Sequence, residues 1–309
     1  MRLPFLRYIT GDAGHIKRLY DAVEIAREYP DIAALQREVL AERKTDSEKS
    51  KRYRGLTRPR SYEPHQALAR ELDILERGER WRITSSVGKP FLIMWKEGKG
   101  EPPKYLLLAQ YLRHDLAMTI PFLKKLLEDK ESKPGEIIAD VWEKIWKKFP
   151  REMELAYPLL PRTLRHENKT LKRTASHHAQ FRIRFLKTEE GLNLKEDQLK
   201  RIVESFENPI SKIFPSDYYS KIGFIITGKY PKAVNVKDIE FEFLLAYKKF
   251  QQFGYSSASA VFHFLNNKLL PQNFIDWKEY LKFLRSHERT SLAPSSKEDD
   301  VLFTIKVER

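Results

Sequence analysis

The chain has 309 residues, 41% of them hydrophobic, so it can bury one or more cores and is not expected to be disordered. Lysine and arginine number 57 against 43 aspartates and glutamates, a net charge of +14 that favours a polyanionic partner, nucleic acid before an anionic membrane surface. The absence of cysteine excludes disulfides, thiol catalysis, zinc ribbons and iron–sulfur clusters.

Neither a membrane span nor a signal peptide is expected from the sequence. No apolar run approaches the ~20 residues that a membrane span needs. The opening stretch, "MRLPFLRYITGDAGH", is too short and too interrupted for a signal peptide. We therefore expect a cytoplasmic, nucleoid-associated protein with no membrane partner. The abundance of Lys, Glu and Arg is typical of thermophile proteins.

The first hundred residues predict three helices. Residues 15–28 carry apolar side chains at helical spacing, and a Pro-Asp pair ends this helix and begins a second one. Segment 44–60 is rich in cations without apolar periodicity, which predicts a basic loop. A third helix is expected from Ser61, a capping residue, to Gly78.

This third helix has two faces and is followed by two strand-like segments. Leucines define the buried face: Leu68, Leu72 and Leu75. Polar side chains define the opposite face: Tyr62, Gln66, Arg70 and Asp73. Residues 81–84 and 91–95 then predict strands, joined by a polar turn at 85–89.

Three helices followed by a two-stranded hairpin resemble the winged-helix DNA-binding domain. The residues that carry this resemblance, within about 14–97, are "ALARELDILERGERWRITSSVGKPFL". The resemblance implies that the third helix enters the major groove, where Gln pairs with adenine and Arg with guanine. The implied base-contacting residues are Tyr62, His65, Gln66 and Arg70. The implied phosphate contacts are Arg58, Arg60 and, at the wing tip, Lys89. A packed helix with a solvated polar face and a protein–protein module are the alternatives.

A second, similar unit is predicted at about 104–193. Its "HAQFRIRFLKTEEG" matches "HQALARELDILERG" of the first unit in character, which suggests an internal repeat. One polar, mostly cationic helical stripe comprises Arg173, His177, Gln180, Arg184 and Lys187. The residues before it, Arg165, Lys169 and Lys172, are expected to lie along phosphates. Because the stripe lacks interleaved acids, DNA contact is favoured over a merely solvated face.

The C-terminal third mixes helical and strand signals. Residues 222–227 predict a strand, and "VLFTIKVE" predicts a closing strand that pairs with it or with a partner chain. A helix–"FGYSSAS"–helix pattern is helix-turn-helix-like and makes Ser256, Ser257 and Ser259 candidate phosphate contacts. The abundant aromatic residues favour a packing or dimerisation role.

Catalytic motifs are scarce. The sequence has no phosphate-binding glycine loop and no nucleophile elbow. Adjacent His177 and His178 face different ways on a helix and cannot easily share a metal ion. Two acid-x-Lys fragments, Asp276-Trp-Lys278 and Glu97-Gly-Lys99, could belong to a magnesium-dependent nuclease, but such fragments arise by chance in a highly charged chain.

The sequence therefore predicts a mainly α protein with small β-hairpins, built from tandem winged-helix or helix-turn-helix units. The expected domains are 1–98, 104–207 and an α-rich 210–309, a third helix-turn-helix or dimerisation module. The expected function is sequence-specific binding of duplex DNA, as a transcriptional regulator or a plasmid-type replication initiator. We expect homodimers through the C-terminal third, and no catalytic residue, metal, cofactor or small-molecule substrate. The alternatives are a DNA-acting enzyme or its DNA-binding subunit, such as a metal-dependent nuclease, and an RNA binder.

Overall fold

A computed structural model of the protein describes residues 6, 11–29, 31, 34, 59–78, 80–129, 131–156, 169–206, 218–294 and 301–305. Most of the predicted second helix and of the basic loop lies outside these ranges. The predicted cap of that helix is within them, because Oδ1 of Asp31 accepts a hydrogen bond from the backbone N–H of Ala34 at 2.8 Å.

The described residues are mainly helical, as the sequence predicts, with short strands in two small sheets. The helices are α1 Ile16–Glu28, α2 Pro59–Glu71, α3 Gly88–Glu97, α4 Lys104–Glu128, α5 Pro134–Lys148, α6 Pro150–Ala156, α7 Lys169–Lys187, α8 Glu196–Ser205, α9 Tyr218–Thr227, α10 Glu240–Phe250, α11 Ala258–Leu269 and α12 Trp277–Ser286. The strands are β1 Lys232–Ala233, β2 Ser256–Ser257, β3 Asn273–Phe274, β4 Thr290–Pro294 and β5 Val301–Ile305.

The chain divides into two compact units rather than three consecutive domains. Unit one comprises Met1–Leu72, Arg77–Trp81 and Tyr111–Lys212, and unit two comprises Asp73–Glu76, Arg82–Gln110 and Ile213–Arg309. The predicted boundary at 98–104 thus lies inside unit two. The predicted boundary at 207–210 lies close to the division between Lys212 and Ile213.

Unit one is helical in its described parts. Helix α1 buries its apolar face, including Leu19 and Val23, and packs with α2. The extensive packing of α7 against α5 buries Trp142, Phe181 and Phe185 completely. Helix α5 carries its buried apolar residues at helical spacing, and Trp142 is a core residue.

Unit two contains a three-stranded antiparallel sheet with the order β2-β5-β4. From residue 240 onward the elements follow as α10, β2, α11, β3, α12, β4 and β5, and β3 pairs in parallel with β1 rather than with this sheet. Aromatic rings of the helices meet the sheet at Phe303, which lies 5.8 Å from Phe243 and 5.2 Å from Tyr247 between ring centroids. The closing strand at 301–305 is confirmed, but it pairs with β2 and β4 and not with 222–227.

The hairpin predicted at 81–95 is wrong. Residues 91–95 lie in helix α3, and the preceding segment forms only an isolated bridge, between Ile83 and Leu75. The hydroxyl of Thr84 accepts a hydrogen bond from the N–H of Gly88 at 2.8 Å where α3 begins. A short apolar run fits a buried helix as well as a strand, and here the buried helix forms. The strand predicted at 222–227 is helix α9 for the same reason.

Candidate nucleic-acid interface

The helix expected to read bases is α2, and two of its four expected readers are buried. His65 and Gln66 are 1% and 3% exposed, because α2 packs with α1 and with the 3-10 helix Gly11–Gly14. Arg70 is half-buried. The side chains of Tyr62 and Arg60, and all of Arg58, lie outside the described residues. The prediction that α2 reads bases is therefore wrong at His65 and Gln66. Leu68, Leu72 and Leu75 are buried as predicted, but the helix ends at Glu71 and not at Gly78, so of these leucines only Leu68 lies on α2.

Lys89 does not lie at a wing tip. It is in the first turn of α3, half-buried, and burial lowers the pKa of its ammonium group. The prediction that three serines contact phosphate is also wrong. Ser256, Ser257 and Ser259 are buried, and the hydroxyl of Ser257 caps α11 by accepting a hydrogen bond from the N–H of Ala260 at 3.1 Å.

The stripe predicted on α7 faces solvent. Arg173, Gln180 and Lys187 are exposed, while His177 and Arg184 are half-buried. Lys169 and Lys172 lie in the first turns of the same helix, with side chains outside the description, and Arg165 lies wholly outside the described residues.

The opposite face of α7 fixes this orientation. Phe181, Arg182 and Phe185 are completely buried, three to four residues apart. Nη2 of Arg182 donates a hydrogen bond to Oδ1 of Asp115 at 2.7 Å, with both side chains fully buried. A helix anchored on one face by a buried ion pair presents its opposite face outward.

Among the described residues, an acid lies beside the stripe at its C-terminal end. Glu190 contacts two basic side chains: Nδ1 of His15 is 2.9 Å and Nε of Arg184 is 3.9 Å from its Oε2. Arg173, about three turns before Arg184 in the helix, is exposed to solvent. The stripe is therefore most cationic toward the N-terminal part of α7.

A second cationic face lies on α12, which sequence reasoning described only as amphipathic. Tyr280, Phe283 and Leu284 form its buried face. Its exposed cations, at i, i+4 and i+7, are Lys278, Lys282 and Arg285. The helix starts at Asp276, whose Oδ1 accepts hydrogen bonds from the N–H groups of Lys278 at 2.9 Å and Glu279 at 3.1 Å.

One described acid lies beside these cations. Glu279 is exposed beside the cations, and its Oε2 is 3.9 Å from Nζ of Lys282. The segment that joins β4 to β5 reads "SSKEDD", so three acids and one lysine fall in the connection of the hairpin. The signal that could have found the cationic face was available: three cations at helical spacing, opposite an aromatic and leucine face.

The two acid-x-Lys fragments have structural partners. The carboxylate of Asp276 caps α12, as described above. The carboxylate of Glu97 forms ion pairs with Lys249 and, at 3.5 Å, with Lys268. Burial and the neighbouring charge of Lys268 lower the pKa of Lys249. Within the described ranges, no three histidines, aspartates or glutamates are grouped as a metal site would require.

Comparison of the chain with protein-family models, with curated proteins and with solved structures found no match. Across the portion of the chain that the structure covers, none of the helices combines the length and apolar character of a membrane span.

Proposed function

We propose that residues 240–305 are a winged-helix domain and that the protein binds duplex DNA through it. Helices α10, α11 and α12 followed by the hairpin β4–β5 have the order of three helices and a wing. Strand β2, between the first two helices, completes the sheet at the edge of β5. The element order assigned from the sequence to residues 14–97 thus fits a different part of the chain.

Helix α12 is the proposed recognition helix. It is the third helix of this unit and directly precedes the hairpin, the position from which such a helix enters the major groove. The exposed side chains of Lys278, Lys282 and Arg285 can each reach a phosphate or a guanine edge. This exposed cationic face on the third helix is the observation that carries the proposal.

The acidic connection between β4 and β5 limits how the domain can bind. The segment between these strands carries three acids and one lysine in sequence, and carboxylates repel phosphate, so no phosphate contact is assigned to it in this proposal. Binding then depends on α12, with the cationic stripe of α7 as a second source of phosphate contacts from unit one. Since phosphate contacts dominate affinity, binding should weaken steeply as salt rises.

The test is a duplex-DNA titration by fluorescence anisotropy at several salt concentrations. The triple variant K278A/K282A/R285A removes the proposed face. A matched control, K229A/K232A/K237A, removes the same charge from exposed lysines elsewhere in unit two. We expect weaker binding by the first variant only, with a salt slope shallower by up to roughly 2.7, because each phosphate contact contributes about 0.9.

Equal losses of DNA affinity in the two variants would contradict the assignment, because they would reflect net charge rather than a binding site.

Two further experiments test the alternative functions, a DNA-cleaving enzyme and an RNA binder. Cleaved DNA in samples with Mg²⁺ would identify an enzyme, and equal affinity for duplex RNA would exclude major-groove reading, which A-form RNA does not permit. Selection from a random DNA pool would then show whether a motif is recognised.

A further inference from the structure

Unit two exposes a group of large apolar side chains around helix α10. Phe241 is 71% exposed, Leu245 50%, Phe253 102% and Tyr255 45%. Phe241 and Leu245 are one turn apart on α10, and Phe253 and Tyr255 lie in the turn that follows this helix. We call these four side chains, with the exposed face of α10, the α10 face.

The turn that carries Phe253 is held in an unfavourable conformation. Gln252 and Tyr255 exchange two backbone hydrogen bonds, of 2.7 and 2.9 Å, across a two-residue turn. Both central residues have positive φ, 49° for Phe253 and 86° for Gly254. Glycine adopts such angles freely, whereas a bulky aromatic residue rarely does. Strained, fully exposed residues of this kind cluster at binding sites.

Charge is ordered along the α10 face. The first turn of α10 carries the exposed acids Glu240 and Glu242, the apolar pair follows, and the last turn carries the exposed Lys248 and Lys249. Phe241 and Leu245 project from the side of the helix opposite the buried Phe243 and Tyr247. The sequence of acid, apolar centre and base is complementary to itself when one copy is reversed.

We propose that the α10 face binds the α10 face of a second copy of this chain, with the two helices antiparallel. A two-fold axis near Leu245 brings the acidic end of each helix to the basic end of the other, as an isologous interface requires. A parallel pair would instead place acids against acids. The proposal does not depend on DNA binding, which is assigned to α12.

The apolar side chains supply much of the area that such a dimer needs. A large aromatic side chain buries about 150–250 Å², so the four apolar side chains offer on the order of 500 Å² at their observed exposures. The rest of the roughly 800 Å² per partner of a standard interface is assigned to the flanking charged residues. An aromatic cluster with a charged rim is the composition expected of an interface centre.

The first test is sedimentation of the full chain over a range of concentrations. We expect a reversible dimer for the wild type and at least a roughly hundredfold weaker dimer for L245E, which places a charge at the centre of the interface. Tyr230, 63% exposed and stacked on Phe224 at 4.5 Å, provides the matched control, Y230S. Because Leu245 is already half exposed, L245E should keep the helical circular-dichroism spectrum. A wild type that stays monomeric at its highest soluble concentration, or a dimer insensitive to L245E, would overturn the proposal.

The second test reports the antiparallel arrangement. E242K and K248E should each weaken the dimer roughly fivefold, since each places like charges together twice across the two-fold axis. The double variant E242K/K248E exchanges the two ends and should restore association. The two residues are six apart on α10 and do not face each other within one helix, so the recovery cannot arise inside a single chain. Single variants that dimerise like the wild type would overturn the antiparallel assignment.

Discussion

Arg182 and Asp115 form an ion pair of 2.7 Å inside unit one, with neither side chain reaching solvent. The carboxylate accepts three further hydrogen bonds: from the N–H of Leu6 at 2.9 Å, from the hydroxyl of Tyr111 at 3.1 Å and from that of Thr119 at 2.7 Å. Each carboxylate oxygen of Asp115 therefore accepts two hydrogen bonds. The pair fixes α7 against α4, and so determines which face of α7 is turned outward.

Removing one partner of this pair should be severely destabilising. D115A would leave the guanidinium of Arg182 buried without its counter-ion, and we expect a loss of about 3–5 kcal/mol in the free energy of unfolding. Replacing both, as D115L/R182M, should cost less than either single change, because no charge is left uncompensated. Urea denaturation measures both. The control is E143A, which removes an exposed ion pair between Lys147 and Glu143 and should change stability by less than about 1 kcal/mol.

His178 should make stability depend on pH. It is buried, edge-on to Trp142 at 4.9 Å between ring centroids, and burial together with the charges of Arg182 and His177 lowers its pKa well below the usual value. The unfolded chain binds a proton near pH 6.5 while the folded chain does not. The stabilising contribution is therefore fully present above about pH 6.5 and is lost as the pH falls below it.

Comparison with H178Q isolates this effect from other titrating groups. The difference in unfolding free energy between wild type and variant should be constant above about pH 6.5, then decline by up to about 1.4 kcal/mol per pH unit as the pH falls. Parallel curves for the two proteins down to the acid transition would show that the folded protein protonates His178 readily.

Helices were predicted well where the helical spacing of apolar residues continued over several turns. Helix α1 appears as expected, and Leu68, Leu72 and Leu75 are buried as expected, because an apolar stripe repeated over several turns is buried against a neighbouring surface. The residues 91–95 and 222–227 were misassigned as strands, because an uninterrupted apolar run of five or six residues contains no period. Their helical state is decided by long-range packing.

The site predictions failed where polar residues are part of the core. Gln66 lies on the side of α2 away from Leu68, whereas His65 shares the face of Leu68, and both are buried where α2 packs with α1 and the neighbouring 3-10 helix. The stripe on α7 was predicted correctly as outward-facing because its other face is rich in phenylalanine. The cationic face of α12 was within reach of the same reasoning, whereas the sheet order β2-β5-β4 depends on pairing between segments distant in sequence.

The burial of Gln66 changes what its substitution should do. Were α2 a recognition helix, Q66A would relax sequence preference and leave stability unchanged. From the structure we expect the reverse: a loss of roughly 1–3 kcal/mol in unfolding free energy, since a buried side chain is truncated, and unchanged relative affinities for different duplexes. Urea denaturation and competition binding, measured on one preparation of Q66A, decide between these two expectations. A stable protein with an altered DNA-sequence preference would support α2 as the recognition helix.

The cationic stripe of α7 is tested by charge removal at its two exposed cations. R173A/K187A leaves the buried face untouched, so the fold should be retained. If the stripe follows a phosphate backbone, affinity for every duplex should fall and the salt slope should become shallower by up to roughly 1.8. The control K195A/K200A removes equal charge from two exposed lysines, one directly before α8 and one within it. Equal slopes for the two variants would mean that this face of α7 is solvated and makes no contact with the duplex, leaving α12 as the interface.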